Sequence, residues 1–115
     1  KGAVLLSGMY DLKPVRLSKR SAYVSFTDRM EELLSAQRHL DGLNAPLILA
    51  IGTAETPEFQ RQSRDFAAAV EAAGKPVELI VGAGYNHFEL LETLANPYGI
   101  TGRAMLLQMK LTKFE

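Results

Sequence analysis

Two apolar runs, each closed by glycine and each leading to one ionisable side chain, constrain this chain more than any other feature. Residues 46–51 run into Gly52 and reach Glu55; residues 77–81 run into Gly82, Ala83 and Gly84 and reach His87. Short runs this apolar, ended by glycine, read as strands covered on both faces, the pattern of a parallel sheet. Between them Phe59, Phe66, Ala67, Val70 and Ala73 recur at helical spacing. A strand, a helix and a second parallel strand set both strand ends on the same edge of the sheet. The sequence therefore predicts Glu55 and His87 side by side on that edge.

The rest of the chain fits the same plan. Residues 3–7 form a third apolar run, closed by Gly8, and read as a strand. From 9 to 44 the pattern is an irregular helical excursion. Residues 14–23 read as loop or a short helical turn; a short helix follows over 28–34, capped by Thr27 or Ser25; a further turn follows Ser35. Thr56 supplies a capping hydroxyl and Pro57 a helical first residue, Gly74 ends that helix and Pro76 blocks its return. A helical stretch begins at His87. A last helix is expected from Gly102 to about Leu111, capped by Thr101, with Ala104, Leu107 and Leu111 against the sheet. Three parallel strands leave both outer edges open, so the sheet reads as incomplete.

Length and composition narrow the options. At 115 residues, 47% hydrophobic and 23% charged, the chain is one domain by size, α/β by its strand and helix pattern, and is not of disordered composition. Thirteen basic and thirteen acidic residues cancel, which argues against nucleic acid or an anionic membrane as partner. With no cysteine there is neither a disulfide frame nor a thiol nucleophile. No signal peptide or membrane-spanning run is seen, so a cytoplasmic location is expected. The opening at Lys1-Gly2, without Met, reads as a cut inside a longer polypeptide or a processed subunit.

The ionisable residues divide by context. His87 follows two glycines above a strand end, where α/β folds build their sites, and imidazole titrates near neutrality. A carboxylate at Glu55 can hold that ring's tautomer and stabilise its cation, although it can equally complement a helix dipole, as Glu58 can. His39 has no glycine turn and no strand before it and reads as a surface or helix-packing residue; it forms no metal-ligand spacing with other residues, so no metal is expected. Asp11 and Asp65 read as a turn residue and a solvated helix residue. Ser7 invites comparison with a nucleophile elbow, but the first glycine of Gly-x-Ser-x-Gly is absent and the chain runs on into a loop, so Ser7 reads as structural. Gly82-Ala83-Gly84 lacks the remainder of a phosphate loop.

Taken together, Gly8 to Leu12, Gly52 to Phe59 and Gly84 to Glu89 resemble the C-terminal part of an α/β-hydrolase, similar to the arylformamidase (kynurenine formamidase) and carboxylesterase group. The resemblance covers nearly the whole chain. It implies that residues 1–115 are the C-terminal portion of one such domain, with the last three strands of an eight-stranded sheet. It further implies a hydrolase of small carboxylic esters or amides, including formamides, that needs no cofactor and uses a Ser-His-Glu triad. This chain supplies His87 and Glu55. Glu stands where Asp is commoner, and the serine elbow and oxyanion loop do not occur in these residues, so both belong to an N-terminal part, missing or on a separate chain. Tyr10 and Phe88, beside the strand ends, are candidates for the wall of a substrate pocket, with core packing as the alternative. The rival reading is a non-enzymatic α/β interaction or regulatory module, in which Glu55 caps a helix and His87 is a loop residue.

Overall fold

A computed structural model describes residues 1–111 of the chain. Three parallel strands, β1 (Ala3–Leu6), β2 (Leu47–Gly52) and β3 (Val77–Gly82), form a sheet in the order β1-β2-β3. Leu6 lies opposite Ala50, and Ala50 opposite Ile80, so the three carboxyl ends line up on one edge. β2 is buried along its whole length, as its apolar run requires. Among the described residues β1 and β3 each have one unpaired edge.

Alternate residues of β2 face opposite layers. Leu47 and Leu49 pack with Phe66, Ala67 and Val70 of α3 (Pro57–Ala72) and with Tyr10, and Leu5 and Leu79 close around them. On the other face Ile48 and Ile80 line an open cavity together with Ile100 and Ala104 of α5 (Ile100–Gln108), which lies over β1. The sheet is thus covered on both sides by helices, as expected. Within α3, Gln62 and Ser63 share the buried face with Phe66 and Val70, while Ala73 is outside it and exposed. Gly74, at φ 75°, ends α3 as anticipated: its N–H reaches the Glu71 carbonyl and that of Lys75 the Val70 carbonyl.

Several local expectations are corrected. Asp11 caps a short helix, α1 (Leu12–Arg16), by accepting from the Lys13 amide; Pro14 is tolerated because its first-turn N–H would have no partner. Thr56 stands at the N-cap of α3, but its hydroxyl makes no capping bond. α5 starts at Ile100, with Gly99 as its N-cap. Thr101 is instead fully buried, with its Oγ1 2.6 Å from Thr93 Oγ1. Ala104 is buried as expected; Leu107 shares the sheet-facing wall with Ile100 and Ala104 but is half exposed, and Leu111 is exposed.

Between β1 and β2 the excursion holds α1, α2 (Asp28–Leu34) and three single turns of 3-10 helix. Thr27 caps α2. Arg38 reaches Glu31 and Glu32, each at 2.8 Å, and Arg16 reaches Asp28 at 2.6 Å. Such solvent-screened pairs add little to stability. The firmer tie is buried Gln62 of α3, whose Oε1 accepts from the Tyr10 and Asp11 amides at 2.7 and 3.0 Å, while its Nε2 donates to the Asp11 carbonyl. This clamp fixes the chain just after β1.

Candidate active site

The site lies where β2 and β3 end. After β2 the chain turns through Gly52 and Thr53; after β3 it turns through Gly82 and Gly84, the latter at φ 82°, a conformation that favours glycine. The two turns are bonded to each other. The Thr53 amide donates to the Gly82 carbonyl, the Ala54 amide to the Tyr85 carbonyl, and the Gly84 amide to Thr53 Oγ1 at 2.7 Å. Tyr85 passes so near β2 that a Cβ on Gly52 would stand 2.1 Å from its carbonyl oxygen. Asn86 then caps α4 (His87–Glu92), taking the amides of Phe88 and Glu89 on its Oδ1 while the Glu89 carboxylate takes the Asn86 amide. His87 is the first residue of that helix, aimed by the cap on one side and the crossed turns on the other.

His87 Nδ1 is 2.6 Å from Glu55 Oε1. The Glu55 side chain is wholly buried and the His87 ring about half exposed, at 47%. The other carboxylate oxygen, Oε2, accepts from Ser7 Oγ at 2.6 Å and from the Gly52 amide at 2.8 Å. Burial pulls the Glu55 carboxyl upward, but the bonds from Ser7, the Gly52 amide and His87 outweigh it and hold the group below its ordinary value. A charged carboxylate at Nδ1 sets the tautomer with the proton on Nδ1 and leaves Nε2 as the basic nitrogen. Among the described residues Nε2 makes no hydrogen bond. An imidazole held in this way can take a proton from a hydroxyl at Nε2 and return it.

Ser7 is not placed to be that hydroxyl. It is buried, and its proton is committed to Glu55, which stands between it and the imidazole. Its φ of 50° does resemble the strained turn of an elbow, yet the side chain serves the acid and not the base. His39 lies far along the excursion, with Nε2 2.6 Å from the Glu32 carbonyl, in keeping with helix packing. Among the described residues no group of three or more His, Asp or Glu side chains could hold a metal ion. No helix is long and apolar enough to cross a membrane.

Of the two candidate wall residues, Tyr10 faces the core. It is stacked on Phe66 with ring centroids 4.2 Å apart, and burial pushes its phenol up to about 12, so it stays neutral. Phe88 is largely exposed, its ring edge-on to His87 at 5.6 Å. The residue that sequence reasoning assigned only to the core face of α3, Phe59, lies 4.9 Å from the imidazole and walls a mainly apolar cleft of about 130 Å³ with Met9, Pro14 and Val15, rimmed by Arg20, Glu58 and Gln62. Its signal was available. Phe59 stands at the third position of α3, four residues beyond Glu55, where a helix rising from the site edge keeps its first turn beside the acid.

No protein-family model matches the chain. Two curated relatives do: a kynurenine formamidase of Salmo salar, 33% identical over 120 residues, and one of Danio rerio, 30% identical over 101 residues. These alignments cover 95% and 84% of this chain, which spans only 39% and 34% of the two relatives. Among solved structures, an inferred thioesterase from a Silicibacter species superposes with a TM-score of 0.76 at 20% identity, covering 87% of this chain and 36% of that one. An acylaminoacyl peptidase from Pyrococcus horikoshii superposes with a TM-score of 0.68 at 20% identity, over 100% of this chain and 21% of its own.

Proposed function

We infer that this chain, which carries part of an α/β-hydrolase fold and resembles the arylformamidase and esterase group, supplies the base and the acid of a hydrolase of small carboxylic esters or amides, including formamides. The observation that carries the reading is the 2.6 Å contact of His87 Nδ1 with a buried carboxylate, at strand ends, with Nε2 unpaired among the described residues. The nucleophile is a serine outside these 115 residues, within the part of the domain that the relatives possess in addition.

In this scheme the serine oxygen adds to the substrate carbonyl as its proton passes to His87 Nε2. The Glu55 carboxylate stabilises the imidazolium so formed. The tetrahedral intermediate collapses, expelling the alcohol or amine, which takes the proton from Nε2. Water then gives a proton to the same nitrogen, attacks the acyl-serine, and the serine recovers its hydrogen as the acid departs. Phe59 and the cleft beside it accept an apolar part of the substrate. No step draws on a cofactor.

The test is turnover of p-nitrophenyl acetate and of an aryl formamide by the intact protein and by its Glu55→Gln and His87→Ala variants. Loss of at least about a hundredfold in kcat with unchanged circular dichroism is expected for His87→Ala. Undiminished turnover in that variant rejects the assignment.

A further inference from the structure

Beyond the acid and base, we propose that Ser7 is a positioning residue of this site: it locks the Glu55 carboxylate so that Oε1 alone is presented to His87. This rests on the hydrolase reading above. A carboxylate on a flexible glutamate stem turns about its last bond and could offer either oxygen, or neither, to the ring. Here Oε2 is saturated by two donors on different strands, Ser7 Oγ from the end of β1 and the Gly52 amide from the end of β2. Oε1 is left to the imidazole. Glutamate is one methylene longer than aspartate, so the need for a second anchor is greater.

The backbone of Ser7 points the same way. Its amide continues the ladder to the Ala50 carbonyl at 2.9 Å, and the residue then enters the left-handed region at φ 50°, which a serine occupies only under strain. Glycine would adopt this conformation without strain. A strained serine is explained by its hydroxyl, which among the described residues has one partner, Glu55. Gln62 holds the following residues, Tyr10 and Asp11, and so fixes the exit path that keeps Ser7 in this turn.

Ser7→Gly and Ser7→Ala in the intact protein test the idea. Glycine removes the hydroxyl while relieving the backbone, so this variant keeps the fold even if alanine does not. The readouts are the titration midpoint of the Glu55 side-chain carbon by NMR and the separate values of kcat and KM for p-nitrophenyl acetate. The expected result for Ser7→Gly is a Glu55 midpoint raised above wild type, kcat lowered about tenfold, the loss from one hydrogen bond to a charged group, and KM little changed. A serine with only a packing role would leave the midpoint where it is. An unmoved midpoint overturns the proposal, whatever happens to kcat; so does a raised midpoint with wild-type kcat. Should the wild type show no turnover, the hydrolase reading falls, and with it any role for Ser7 in catalysis.

Discussion

Gly52 and Tyr85 meet backbone to backbone, so closely that a single added carbon on Gly52 would overlap the Tyr85 carbonyl. That crossing brings the turn after β3 over the end of β2, and His87 onto Glu55 follows from it. Gly52→Ala is therefore expected to push the two turns apart, destabilising the protein by about 1–3 kcal/mol and lowering turnover more than any packing defect elsewhere of equal cost. Thermal denaturation and kcat of the same sample measure both. Wild-type values in each would show that the turns yield without consequence.

Acid should weaken the molecule through Glu55. Its carboxyl is held below the ordinary value of 4.5, first against burial and then by Ser7, the Gly52 amide and His87. A folded-state value below the unfolded one gives stability that is present above about pH 4.5 and lost as pH falls through the folded-state value. Glu58, lowered by Arg61, is too exposed to contribute as much. Urea titrations between pH 3 and 7 should show a steeper acid loss in wild type than in Glu55→Gln. Parallel curves would assign the acid limb elsewhere.

Gln62→Leu is a near-isosteric change that leaves the Tyr10 and Asp11 amides without their acceptor in a mostly buried place. A cost of about 2–4 kcal/mol is expected, well above that of an ordinary surface change. Chemical denaturation reads it directly. A loss under about 0.5 kcal/mol would mean that water reaches these amides.

Phe59→Ala enlarges the cleft beside the imidazole and removes one of the two rings that flank it. KM for p-nitrophenyl butyrate should rise several-fold, with a smaller change for the acetate, since an apolar chain gains about 0.8 kcal/mol per buried methylene. Equal effects on the two esters would place the acyl group elsewhere.

Much of this arrangement was legible in the sequence. Apolar runs stopped by glycine placed all three strands to within a residue, and the strand-helix-strand rule put Glu55 next to His87. What stayed hidden depends on contacts between distant residues. Ser7 and Glu55 are 48 positions apart, and Tyr10 and Gln62 are 52 apart; neither pairing leaves a periodic trace. Thr101 failed as a predicted cap because its hydroxyl had a better partner in Thr93, and Gly99 opened the helix without one. Asn86 with Glu89 forms a capping box written in four consecutive residues, a local signal that the sequence reading passed over.

The sheet margins carry a practical lesson for anyone preparing these 115 residues by themselves. Among the described residues β1 and β3 each have one edge with no strand paired to it, flanked by side chains such as Val81 that shun water. Such rims invite strand addition by identical molecules, so a solution of these residues alone should grow turbid with concentration and clear when a complementary strand caps the rim.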